Sequence, residues 1–305
     1  MQPINFFDEE GDINPYSIAH YLWNKRPLLI SVGIIAFIFS FYISNFVLEK
    51  NYTAESILTP VESKQGASGM SGSQIGNMIG LSLGGAVGVN NAQIAIETLR
   101  SKDFFKRISE KYDYLIVKLV AVKGFNKNVE NYDSDIYDYE KGAWISKPSF
   151  QSAWSKYNRA IDTVYSWERG GFLTVKFTHN SPLVASEILN IMIKEVNLVK
   201  RDRDVLLADK SLEYLLRNSS TITNADLKRA TSELMQNQLK IKMFADISPY
   251  YLIEPLDSVY IPESPSSPNT PIVTLVITSI ILFSVIAFMT IKLVVSELRN
   301  RAKKD

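Results

Sequence analysis

"FLTVKFTHNSPLVASEILNIMIKEV", Phe172 to Val196, changes period in the middle. Up to Thr178 apolar and polar residues alternate, so Leu173, Val175 and Phe177 share one face and Thr174, Lys176 and Thr178 the other, the pattern of a half-buried strand. Then Ser181 supplies a helix N-cap and Pro182 suits the first helical turn. From there Ala185, Ile188, Leu189, Met192, Val196 and Val199 recur at helical spacing. A strand that feeds straight into a long amphipathic helix belongs to an α+β domain.

No glycine or proline interrupts that helix until after Arg217. At about 1.5 Å per residue it runs roughly 54 Å. Its middle, "KRDRD" at 200–204, is charged on every side, which places it outside the globular body. "NSSTITN" reads as a turn, and Asp226 to Phe244 as a thinner returning helix with Leu227, Ala230, Leu234 and Ile241 inward. The two make a projecting helical hairpin. Around it, "NYTAESILTP" alternates as a strand, "NAQIAIETLRSKDFFKRISEKY" reads as a helix with Ile94, Leu99 and Phe105 on its apolar side, and Tyr251 to Glu254 supplies a final strand beside "NYTAESILTP".

Two uncharged runs bracket all of this. "LLISVGIIAFIFSFYISNFVL", Leu28 to Leu48, and "IVTLVITSIILFSVIAFMTI", Ile272 to Ile291, each reach the roughly 20 apolar residues that a bilayer crossing needs. The first is too long for a cleaved signal peptide, follows the acidic "FDEEGD", and lacks a small-residue cleavage site. Lys25 and Arg26 precede it; Lys292, Arg299, Arg301, Lys303 and Lys304 follow the second. The positive-inside rule puts both ends in the cytoplasm. The expected organisation is a cytoplasmic segment 1–27, a membrane helix 28–48, an extracytoplasmic body 49–271, a membrane helix 272–292 and a cytoplasmic tail 293–305. Ala36, Ser40 and Ser44 on the first anchor, with Ser284 and Ala287 on the second, are the candidate small-residue face for anchor packing.

Before the second anchor, Pro262, Pro265, Pro268 and Pro271 recur every third residue, the period of polyproline II. A rod of this kind either spaces the body from the membrane or offers one proline edge to a partner. Farther back, Gly72, Gly76, Gly80, Gly84 and Gly88 recur every fourth residue inside a stretch with no charge from 65 to 96. They form either a flexible loop or a ladder ordered by neighbouring copies or lipid.

Chemistry is sparse. "GLSLG", Gly80 to Gly84, matches the pattern of a nucleophile elbow but has no strand before it, no helix after it and no histidine partner. His20 lies on the cytoplasmic side, and His179 is expected at a helix cap or the surface. Asp133 and Asp135 read as an exposed acidic loop, and their spacing fits no EF-hand. No phosphate-binding loop occurs. With 33 basic and 32 acidic residues nothing points to nucleic acid, and the absence of cysteine suits an oxidising compartment that needs no disulfide. No enzyme activity, metal or cofactor is expected.

Taken in order, "LWNKRPLLI" (22–30), "NYTAESILTP" (51–60), "IETLRSKDFFKRI" (96–108), "GGFLTVKFTHNSPLVASEILNIMI" (170–193) and "SVYIPESPSSPNTP" (258–271) resemble the bacterial polysaccharide co-polymerases, the Wzz-type chain-length determinants. The resemblance implies an inner-membrane protein with a periplasmic α+β base and a projecting helical hairpin. It implies a ring-shaped homo-oligomer in the lipid bilayer, a membrane polysaccharide polymerase as partner, and undecaprenyl-linked polysaccharide nearby. The implied role is to set the modal chain length of O-antigen or a related surface polysaccharide. Members fused to a tyrosine autokinase carry a phosphate loop after the second anchor, so this chain looks like the kinase-free class. A subunit of an export scaffold or channel, and a two-anchor sensory ectodomain, are the alternatives.

Overall fold

The protein is described by a computed structural model covering residues 15–61, 91–126, 129–166, 168, 170–220 and 222–301. It divides into two compact units: the two ends of the chain, 1–50 with 266–305, and the body, 51–265. The glycine ladder and the "GLSLG" motif lie outside the described residues.

The body is built on one antiparallel sheet in the order β6-β7-β1-β8. Its strands are β1 (Tyr52–Pro60), β6 (Ile161–Ser166), β7 (Phe172–His179) and β8 (Ile253–Pro255). Register follows the alternation. Ala54 faces Phe177, Ser56 faces Val175 and Leu58 faces Leu173, all buried. The residues between them put Glu55 opposite Lys176 at 3.1 Å and Thr53 hydroxyl to Thr178 hydroxyl at 2.9 Å. One face is therefore apolar and covered, the other polar, as an antiparallel sheet allows. The strands expected at 51–60, 172–178 and 251–254 are these.

Helices cover the apolar face: α3 (Asn91–Arg100), α4 (Lys102–Lys111), α5 (Leu115–Ala121), α6 (Phe150–Ala160) and the first half of α7 (Pro182–Ser219). The single helix expected from Asn91 to Tyr112 is broken. Ser101 leaves helical geometry and its hydroxyl accepts a hydrogen bond from the Phe104 amide at 3.1 Å, capping α4. The break lets both Leu99 and Phe105 reach the core. At its centre Tyr157 lies 4.8 Å from Phe105 and 6.0 Å from Phe177 between ring centroids, and donates its hydroxyl to the Leu99 carbonyl at 3.1 Å. Each such ring or aliphatic side chain contributes about 1.5–3 kcal/mol by burial. Between β6 and β7, Gly170 and Gly171 have φ of 87° and 79°, a region closed to most side chains; a Cβ on Gly171 would also press on the Tyr165 hydroxyl at 3.2 Å.

Two hairpins lie between α5 and α6: β2 (Val122–Asn126) with β3 (Val129–Tyr132), and β4 (Tyr137–Asp138) with β5 (Ala143–Trp144). The expectation of an exposed acidic loop here holds for Asp135 but not for Asp133. Asp133 is buried, and its carboxylate takes Lys123 at 2.9 Å and the Asp135 amide at 3.1 Å, which hold it below the usual carboxylate range.

His179 also departs from expectation: it is 3% exposed. The Ser181 amide donates to its Nδ1 at 3.1 Å, so Nε2 carries the proton and donates to the Leu119 carbonyl at 3.2 Å. A neutral imidazole thus welds the start of α7 to the end of α5. Burial pushes its pKa down to about 4, against the pull of the Leu119 carbonyl.

The unfolded chain protonates His179 near its ordinary value of about 6.5 while the folded one resists until about 4. Stability is therefore unaffected by this group above pH 6.5 and falls as pH drops from 6.5 to 4, by about 3 kcal/mol in all. Urea denaturation of the protein in detergent across that range should show the loss. His179→Gln should be less stable at pH 7 yet flatten the slope by that amount; an unchanged slope would remove His179 as its source.

Candidate functional site

The end unit holds α1 (Pro15–Asn24), α2 (Arg26–Tyr42), which runs on into a π-helical turn at Ile43–Val47, and α9 (Thr270–Arg301). Two stretches, Arg26–Val47 and Thr270–Ser296, are long and apolar enough to cross a membrane. They pack side by side and antiparallel, with the Ser44 hydroxyl donating to the Thr270 carbonyl at 3.4 Å. Ala36, Ser40 and Ser44 are all buried in this contact. Ser40 folds its hydroxyl back onto the Ala36 carbonyl at 2.7 Å, so the face of α2 is small and both its serine hydroxyls are paired. On α9 the expectation needs correcting. Ser284 is exposed, with its hydroxyl on the Ile280 carbonyl, and Ala287 is only half-buried. Thr274, 4% exposed, takes the small-residue place. Helical spacing explains this: Thr274, Thr278, Leu282 and Val285 keep to one side of α9, and Ser284 falls a third of a turn away. Large residues such as Ile34, Ile38, Phe46, Phe283 and Phe288 point away from the pair, exposed.

The four prolines do not form one straight rod. The backbone bends at Glu263–Ser264 and again at Pro268, and the Ser267–Pro268 peptide is cis. Pro265 and Pro271 are exposed, whereas Pro262 and Pro268 are half-buried. A continuous polyproline ridge requires an extended backbone throughout, which the bends interrupt.

The hairpin begins as α7 leaves the sheet and returns as α8 (Ala225–Ile247). Its root is held more tightly than the charge run suggested. Asp202 pairs with Arg107 of α4 at 2.6 Å, and Asp204 pairs with Lys200 at 2.6 Å and accepts the Tyr251 hydroxyl at 3.0 Å. "KRDRD" therefore straps the helix to the body, and the free projection starts after it. Below this lies Glu195, wholly buried: one carboxylate oxygen takes Lys111 at 2.7 Å and the Tyr112 hydroxyl at 2.8 Å, while the other has no partner. Burial first, then Glu195, pushes the Tyr112 hydroxyl up to about 12, so it stays a donor.

Beside Glu195 on the sequence, Asn197 is 3% exposed and makes five hydrogen bonds. Its Nδ2 donates to the carbonyls of Ile193 and Ile253, and its Oδ1 accepts the amides of Tyr251, Leu252 and Ile253, all at 2.7–3.0 Å. Neither residue stands out in the sequence. Glu195 and Asn197 interrupt an apolar stretch of α7, and a polar residue on that face is the one signal that could have found them.

Along the projection, solvent is lost at Val205, Ala208, Leu212 and Leu215 of α7 and at Thr231, Met235, Gln238, Lys242 and Ala245 of α8. These are alternating steps of three and four, as in an antiparallel coiled coil. Leu227 and Leu234, expected inward, are exposed, whereas Ala230 and Ile241 are half-buried. Ala208 and Ala245 are the fully buried small residues; steps back from Ala245 land on Lys242, Gln238, Met235 and Thr231 rather than on the leucines. Lys242 reaches Asp209 at 2.7 Å. Leu206, Leu207, Tyr214, Leu216, Leu239 and Met243 also stay exposed. Among the described residues there is no group of three His, Cys, Asp or Glu side chains able to hold a metal.

Residues 12–112 match the family model described as Wzz, chain length determinant protein. The match runs from the segment before α1, through α2 and β1, to the end of α4, about a third of the chain, and is to the family that the sequence resembles. No curated protein matches the chain. Among solved structures, a full-length bacterial polysaccharide co-polymerase matches with a TM-score of 0.37 at 14% identity, over 92% of this chain and 96% of its own. A fragment of WzzB, the polysaccharide co-polymerase from Salmonella Typhimurium, matches with a TM-score of 0.31 at 12% identity, over 72% of this chain and 100% of its own. At these scores the description of the fold rests on the strands and helices above.

Because Ser40 has no exposed surface, a larger side chain there must part the anchors, at a cost of about 1–3 kcal/mol. The cysteine-free chain makes this measurable. With cysteines introduced at 44 and 270, the protein in membranes should cross-link efficiently, and adding Ser40→Leu should lower the yield severalfold. An undiminished yield would mean that the face does not hold the pair.

Proposed function

We propose that the protein is a two-pass polysaccharide co-polymerase of a bacterial inner membrane, which sets the modal chain length of O-antigen or a related surface polysaccharide. It works without catalysis, as a ring of identical subunits beside a membrane polymerase that extends undecaprenyl-linked repeats. The observation that carries this reading is the Wzz match over the first anchor, β1, α3 and α4. The remaining elements supply a compatible whole: a second apolar helix packed on the first, and a body from which a helical hairpin leaves.

In this reading both termini are cytoplasmic and residues 49–271 periplasmic, supported by Lys25, Arg26, Lys292 and Arg299 on the terminal flanks. Self-association is supported by the large apolar side chains that the hairpin leaves uncovered, among them Leu206, Leu207, Leu216, Leu227, Leu239 and Met243. The bends at Glu263–Ser264 and Pro268 favour the proline segment as a shaped connector over a ridge gripped by a PxxP reader.

Deleting the gene and resolving the surface polysaccharide by gel electrophoresis tests the reading. The clustered modal length should give way to a broad distribution dominated by short chains, with synthesis retained, and the intact gene should restore it. Unchanged length would contradict the proposal. Unchanged length with polymer trapped inside the cell would assign the protein to export instead.

A further inference from the structure

After β3 the chain makes an excursion to Ser149 that adds almost nothing to the core yet is tightly framed. The Ile145 and Ser146 amides donate to the Ile136 carbonyl, Gly142 turns the β4–β5 hairpin with φ 63°, and the Lys141 amide donates to the Asp138 carboxylate at 3.1 Å. On this frame sit four aromatic rings. Tyr132 and Tyr139 stack with centroids 4.7 Å apart and planes 26° from parallel. Tyr137 lies 6.2 Å from Tyr132 and meets Trp144 edge-on at 5.2 Å. None is fully buried, and Tyr139, at the hairpin tip, is 68% exposed.

Rings of this size are worth most inside a core. Here three half-buried rings, Tyr132 among them packed on the edge of the core, back a fourth, Tyr139, that stands in water, and together they form a platform whose open faces are apolar and whose edges are polar. The Tyr132 hydroxyl donates to Glu130 at 2.9 Å, and the carboxylates of Asp135 and Glu140 stand exposed with no ion pair among the described residues. We propose that this platform of Tyr132, Tyr137, Tyr139 and Trp144 binds a pyranose segment of the polysaccharide. The C–H face of a sugar ring lies flat on Tyr139, and its equatorial hydroxyls donate to the rim carboxylates. The inference rests on the chain-length reading above and names where the polymer touches the protein.

Two other occupants fit less well. From 129 to 147 five carboxylates stand against two lysines, which repels phosphate-bearing surfaces. Only Tyr139 of the four rings is largely exposed, so the open apolar area falls well below the about 800 Å² per partner that a stable contact with a second copy needs.

The test uses the full-length protein in detergent. The probe is the host strain's own surface polysaccharide, cut from its lipid by mild acid, followed by saturation-transfer NMR and tryptophan fluorescence. The wild type should bind saturably, Tyr139→Ala should weaken binding about tenfold or more, and Tyr139→Phe, which keeps the ring, should restore most of it. Tyr139 is exposed, so the alanine variant leaves the core intact. No saturable binding by the wild type, or equal binding by Tyr139→Ala, would overturn the inference. These results are separable from the deletion phenotype: altered chain length in the deletion strain with unaltered binding by Tyr139→Ala discards the platform and keeps the function.

Discussion

One side-chain amide holds the body's two long-range connections together. Asn197 sits on α7 just before that helix leaves the sheet, and all its hydrogen-bonding capacity is used on residues 251–253 and its own helix. Three consecutive backbone amides converge on a single oxygen. Those of Leu252 and Ile253 would otherwise be buried without this acceptor, at about 1–3 kcal/mol each, and that of Tyr251 partly so. β8 is an edge strand of three residues, too short to be stable by pairing with β1 alone. Without the clasp, neither the edge of the sheet nor the root of the hairpin has a fixed position.

Charge reinforces the same place. Glu195 and, two turns on, Asp202 and Asp204 of α7 bind Lys111, Arg107 and Tyr251 in turn. The exposed Arg107–Asp202 pair is worth at most about 1 kcal/mol, so it orients more than it stabilises. The buried Glu195 carboxylate is different: removing Lys111 would leave its charge with only the Tyr112 hydroxyl, which is costly. The helix is thus bound to the body by its lower turns and left to a thin coiled-coil contact with α8 above them.

Much of this was legible in the sequence because it depends on local rules. Strict alternation read β1 and β7, Ser181–Pro182 read the start of α7, and uncharged length read the two anchor candidates. What escaped is what depends on distant partners. "KRDRD" looks like solvated helix until Arg107, some 95 positions earlier, is placed beside it. Asn197 looks like an ordinary helical polar residue until residues 251–253 arrive. Ser101 did carry a local signal, a serine N-cap followed by Asp103 in the next turn, that the apolar spacing of the surrounding residues overrode. The inward face of α8 was misread because two alanines, rather than the leucines, set the close approach. The polyproline period is a sequence pattern, and it does not by itself dictate backbone shape: the chain bends at Glu263–Ser264 and Pro268.

Amide hydrogen exchange at Tyr251, Leu252 and Ile253 tests the clasp most directly. In the full-length wild type these three amides should exchange as slowly as those of β7. In Asn197→Ala they should exchange at least about a hundredfold faster, matching the loss of about 3 kcal/mol of local stability, while the β7 amides keep most of their protection. Equal protection of all three in the variant would show that β8 and the hairpin root are held by something else.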